Sequence, residues 1–111
     1  MSNRLFQGVV HQMRDTINRV IGVVDDTATI IACSELSKIG TTNEYIALDL
    51  VENNDVFVRD GYTYKPFGSH TKPEYAVFVE GIDEQASKFA QLIAISLSSI
   101  KQYYDEKYDK N

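Results

Sequence analysis

Val20-Ile21-Gly22-Val23-Val24, then Asp25-Asp26-Thr27, then Thr29 to Ser34 follow one another in the first third of the chain. The first stretch is short and β-rich. The second is a polar turn in which Asp is favoured because its side chain bonds to nearby backbone groups. The third is again apolar, with Ile30-Ile31-Ala32-Cys33 at its centre. Two such runs joined by a short polar connection make a β-hairpin.

On the N-terminal side of this hairpin, Leu5 to Val20 reads as a helix. Phe6, Val9, Val10, Met13, Ile17 and Val20 recur at steps of three and four, and Gln12, Arg14, Asp15 and Asn18 fill the other face. On the C-terminal side, Ser34 to Thr42 is a polar loop holding Ile39-Gly40. A short helix then fits Asn43 to Val51, with Ile46, Ala47, Leu50 and Val51 inward. Asn53-Asn54-Asp55 ends it, because these side chains compete for backbone groups. Val56 to Arg59 is the third strand. Asp60-Gly61 marks a tight hairpin, since both central positions of that turn want positive φ. Tyr62 to Phe67 is the fourth strand, Gly68 to Pro73 a loop, and Tyr75 to Glu80 the fifth strand. Asp83 caps a long last helix that runs to Tyr104 or beyond.

The order is helix, two strands, helix, three strands, helix. Tight hairpins imply an α+β fold with a mainly antiparallel five-stranded sheet and N-terminal, middle and long C-terminal helices, expected on one face. At 111 residues and 43% apolar content the chain suits one domain, 1–111. No repeat or linker interrupts it. Met1-Ser2-Asn3-Arg4 opens no apolar leader, and no apolar run reaches the ~20 residues of a membrane span. A cytoplasmic location without membrane association is the expectation.

Net charge and residue chemistry exclude several classes. A formal charge of -5 repels phosphate backbones, so direct nucleic-acid binding is not expected. The lone Cys33 makes no internal disulfide and sits in an apolar run, as a buried thiol does. His11 and His70 lie far apart, and with one cysteine no pair has metal-ligand spacing, so neither metal nor cofactor is expected. No pattern sets a base or an oxyanion hole beside Cys33, and Asp25-Asp26 reads as a turn, so no catalytic residue and no enzyme is expected.

Two features point to binding. Arg59, Tyr62, Tyr64, Lys65, Ser69, His70 and Lys72 gather cations and phenols on two strands and a loop, in an otherwise acidic chain. Side chains alternate on a strand, so Tyr62 and Tyr64 share one face. A ligand site built from Ser34, backbone N–H groups near Gly40, Arg59, Tyr64 and His70 would take an anionic small molecule, with Arg59 forking onto a carboxylate. The last helix carries a stripe of Ala86, Phe89, Ala90, Ile93, Leu97, Ile100 and Tyr104. Leu92, Ile95 and Tyr103 lie off that stripe. One face for the core and one for a second copy predicts a homodimer through Leu92, Ile95 and Tyr103.

The stretches Val20-Ile21-Gly22-Val23-Val24-Asp25, Ile30-Ile31-Ala32-Cys33-Ser34 and Lys38-Ile39-Gly40 resemble the start of the sugar-diacid-recognition and PucR-type bacterial transcription regulators. There a strand ends in Asp, a second strand ends in I-A-(S/C)-(S/G), and (R/K)-I-G closes the loop. The chain departs from that pattern at Thr27-Ala28, where the family has Gly, and at Thr41-Thr42-Asn43, where a His often follows. The resemblance implies a PAS-like, ligand-sensing domain of a transcription regulator. It also implies that the family's helix-turn-helix lies outside this chain and that helix 83–108 signals or dimerises. The same element order resembles the roadblock and profilin-like families. They imply the alternative, a homodimeric protein-interaction module with no small-molecule ligand.

Overall fold

The computed structural model describes residues 2–68 and 73–108, and side chains over 3–68 and 73–105. Helix α1 spans Ser2–Ile17, strands β1 and β2 span Ile21–Asp25 and Ile30–Cys33, and a 3-10 turn covers Leu36–Lys38. Helix α2 (Glu44–Glu52), strands β3 (Phe57–Arg59), β4 (Tyr62–Gly68) and β5 (Pro73–Glu80), and helix α3 (Glu84–Tyr108) complete the order. The five strands form one sheet in the order β2-β1-β5-β4-β3, every neighbouring pair antiparallel. This is the α+β, PAS/profilin-like fold expected of the sequence.

Local chemistry sets the boundaries. Helix α1 ends at Ile17 and not at Val20, because Asn18 takes φ 58° and its N–H bonds the Arg14 carbonyl. Asn is one of the few residues that enters this left-handed region readily. Asp60 and Gly61 both have positive φ, 53° and 82°, as their hairpin requires. Asn53 stops α2 by donating through both its backbone N–H and its side-chain amide to the Asp49 carbonyl. Asp83 begins α3, its carboxylate accepting from the Ala86 N–H at 3.3 Å.

The expectation that all helices lie on one face is corrected. Helices α1 and α3 pack on one face, where Phe6, Val10, Ala90, Ile93 and Leu97 meet Ile21, Val23, Val77 and Val79. Helix α2 covers the other, where Ile46 and Leu50 meet Val24, Cys33, Tyr64 and Phe78. The reason is in β5: Val77 and Val79 point one way and Ala76 and Phe78 the other, all buried. A strand apolar on both sides needs cover on both. A bulge at Val23/Val24, opposite Ile31, sends Ala32 to the first face and both Ile30 and Cys33 to the second.

The 34–42 segment is held tightly. Thr41 accepts from the Ile30 N–H at 2.8 Å, and Gly40, at φ 96°, donates to the Ile30 carbonyl at 2.8 Å. Thr29 and Thr42 bridge, and their hydroxyls lie 2.7 Å apart. The loop thereby folds over the α2 face of the sheet beside β2.

Candidate ligand-binding site

Where this loop, the start of α2 and the β3–β4 turn converge on the sheet, they enclose a concavity of about 180 Å³. Its apolar wall comes from Val24, Ile30, Ile46 and Phe78. Tyr45, Tyr62 and Tyr64 add phenol rings, and Lys38, Thr41, Asn43 and Asp60 bring polar groups. Tyr62 meets Phe78 edge-on at 5.7 Å and 80°, so two rings stand near a right angle. Tyr64 is clamped between Phe57, stacked at 5.1 Å, and Phe78 at 6.1 Å. Burial, with the Tyr45 phenol beside it, raises the Tyr64 hydroxyl far above the usual phenol range, so it stays a neutral hydrogen-bonding group.

Gly22 makes this wall possible. It faces Phe78 across the β1–β5 ladder, and a Cβ there would lie 2.5 Å from the Ala32 carbonyl oxygen and closer still to Cζ of the Phe78 ring. Only a bare backbone lets the ring lie over β1.

Two ionisable side chains of opposite sign line the space. Lys38 has Glu35 at 3.9 Å, an exposed pair of the kind that holds weakly. Asp60 accepts a hydrogen bond from the Tyr45 hydroxyl, and this bond raises the Tyr45 phenol above its ordinary value.

The residues expected to form the site are only partly brought together. Tyr64 lines the concavity. Arg59 does not. It binds Asp49 at 2.7 Å and lies over the Tyr45 ring at 4.8 Å, so its charge is met within the fold. Ser34 sits at the end of β2, where its hydroxyl accepts from the Ile21 N–H at 3.1 Å. The Gly40 N–H is spent on Ile30. His70 lies outside the described residues, as do Ser69 and Lys72. Lys38, Tyr62 and Asp60 line the concavity beside Tyr64 where Arg59 was expected. The signal for Lys38 was its place in the K-I-G stretch, beside Ile39 and Gly40, which were already singled out.

A second concavity, about 200 Å³, lies between α2 and β5 and is lined by Leu50, Val51, Pro73, Tyr75 and the acids Asp26 and Glu74. Its charge does not suit an anion. The groups weighed as chemical ones have structural partners. The Asp25 carboxylate accepts from the Thr27 N–H, the Thr27 hydroxyl and the Thr29 N–H at 2.8–3.0 Å, closing the turn. Cys33 is fully buried, and burial pushes its thiol up, away from the reactive thiolate. Among the described residues no three His, Cys, Asp or Glu side chains converge as a metal site would need, and no helix is long and apolar enough to cross a membrane.

Along α3, Leu92, Ile95 and Tyr103 are 60%, 63% and 57% exposed and share one outward line, while Ala86, Ala90, Ile93 and Leu97 are buried. The buried line holds as far as Leu97, but Tyr104, expected on it, is 40% exposed, because α3 there runs beyond the strongly buried part of the core.

No protein-family model matches the chain, and no curated protein sequence does. Among solved structures it is similar to an extracellular ligand binding receptor from Desulfohalobium retbaense DSM5692, at 16% identity and a TM-score of 0.49. That likeness covers 67% of this chain and 14% of the receptor.

Proposed function

We propose that the chain is the ligand-sensing regulatory domain of a bacterial, cytoplasmic transcription regulator, without a DNA-binding part or catalytic residue of its own. The observation that carries this reading is the polar-rimmed concavity between loop 34–42, α2 and the sheet. A contact serving stability alone would be filled with apolar side chains. The hairpin and K-I-G resemblance to the sugar-diacid-recognition and PucR-type regulators supports the same reading. The effector is an anionic small molecule whose carboxylate meets Lys38, the cation at the wall, while Tyr64 and Thr41 orient it.

The route outward runs through the sheet. Phe78 faces the concavity, and its neighbours Val77 and Val79 carry α1 and α3 on the opposite face. A ligand that prefers one setting of β5 shifts the population of α3 positions. A second copy covers the outer line of α3: residues 89–100 contain no charged side chain, so the helix meets its own copy without like-charge repulsion.

The test is a thermal-shift screen of small carboxylic acids on the wild type and Lys38→Gln. The expected result is a raised wild-type midpoint with at least one acid and about tenfold weaker binding in the variant, as for a lost charge-assisted hydrogen bond. If no acid raises the midpoint, or both proteins respond alike, the site is misassigned.

One observation favours the alternative of a roadblock-like homodimeric interaction module. Leu48 on α2, Val58 on the edge strand β3, and Val51, which was expected inward on α2, are all exposed. In that case dimerisation is lost on Leu48→Glu or Val58→Glu, not on changes in α3, and no small molecule shifts the midpoint.

A further inference from the structure

We propose that the effector is a zwitterion of amino-acid size, with an ammonium group as well as the carboxylate. This rests on the sensor reading and deepens it. Among the described residues that line it, the concavity sets one lysine, Lys38, with one carboxylate, Asp60. A simple anion answers Lys38 and leaves Asp60 facing a like charge, which costs energy in a partly enclosed space. A simple cation answers Asp60 and meets Lys38 in the same way. A molecule carrying both charges satisfies both residues.

The surroundings of Asp60 are those of a cation site. Tyr45 and Tyr62 line the same space, and an ammonium group is drawn to the faces of such rings. Tyr45 already shows this behaviour within the fold, since the Arg59 guanidinium lies over its ring at 4.8 Å. The Tyr45 hydroxyl donates to Asp60 and fixes the carboxylate in place, leaving acceptor capacity for a ligand N–H. The wall of Val24, Ile30, Ile46 and Phe78 takes an apolar side chain. At about 180 Å³ the space is a little larger than the roughly 150 Å³ that holds a benzene ring, so it fits a side chain of that order.

Isothermal titration calorimetry on the full chain tests this with matched trios: valine, leucine and phenylalanine, each beside the acid lacking its amine and the amine lacking its carboxylate. Asp60→Asn and Lys38→Gln are titrated in parallel. Asparagine tolerates the positive φ of position 60 and still accepts from Tyr45, so this variant keeps the turn. The expected result is that at least one amino acid binds about tenfold or more tightly than its matched acid or amine. Asp60→Asn removes its advantage over the acid, and Lys38→Gln removes its advantage over the amine. If an acid binds as tightly as its amino acid and Asp60→Asn changes nothing, the zwitterion is wrong and the sensor reading stands. If no member of any trio binds the wild type, both the zwitterion and the site assignment fall.

Discussion

Gly22 holds its place against any side chain. A methyl group there would press on the Ala32 carbonyl and on the Phe78 ring, and a carbonyl paired in the sheet cannot move aside cheaply. Gly22→Ala is expected to lower stability by about 2–3 kcal/mol, the upper range for overpacking a filled core, read from the urea midpoint. A variant within 0.5 kcal/mol of wild type, roughly the scale of a surface change, would show that Phe78 has room to turn. Asp83 supplies a pH-dependent contact. Arg19 holds both its oxygens, at 2.7 and 2.8 Å, and keeps its carboxyl well below the usual carboxylate range. A depressed folded-state value means this contribution is present above the unfolded value, about pH 4, and is lost as pH falls below it. Between about pH 6 and pH 2 the wild-type thermal midpoint is therefore expected to fall further than that of Asp83→Asn, which keeps the cap but not the charge. Equal falls would show that the pair adds nothing. At this scale the turn residues were legible because each acts on its own neighbours: Asp60-Gly61, Asn53 and Asp83 behave as their local chemistry dictates. Lys38 and Asp60 as partners in one wall were not, since their meeting depends on Thr41 and Gly40 bonding to Ile30, a contact that spacing alone does not reveal.

Among the elements, α3 is the most instructive. Its buried line is rich in alanine at 86, 90 and 94, which lets the helix lie close on β4 and β5. Leu92, Ile95 and Tyr103 lie on the exposed side of the helix, away from that buried line. Leu92→Glu together with Ile95→Glu should therefore leave the thermal midpoint nearly unchanged and convert a dimer into a monomer, measured by sedimentation. A wild type that is already monomeric at high concentration, or a double variant that stays dimeric, would remove the α3 dimer. Both lines were readable from the helical period because each repeats over several turns. The sides of the sheet taken by the helices were not. Ile46 and Leu50 announce that α2 has an inner face, but which face of the sheet it meets depends on the crossing from β2 to β3. The clue lay in β5, where Ala76, Val77, Phe78 and Val79 run without alternation, the pattern of a strand covered on both sides.

The whole molecule divides into a face under α2, which holds the concavity, and a face packed under α1 and α3, with the sheet between them. Its charge sets what it can approach. The chain carries 16 acidic and 11 basic side chains. Among the described residues, Arg14, Arg19, Lys38, Arg59, Lys65, Lys88 and Lys101 lie within 4.0 Å of a carboxylate. Binding a duplex requires several cations on one face to displace counterions from successive phosphates. Here these cations sit beside acids, and those acids would face the phosphates. The isolated chain is therefore expected to show no duplex DNA binding at about 150 mM salt by fluorescence anisotropy, and only weak, sequence-independent binding at about 20 mM. The proposed small-molecule response is expected at both salt concentrations, since the concavity is partly enclosed and screened less than the surface. Tight, salt-sensitive DNA binding by this chain would contradict the charge argument.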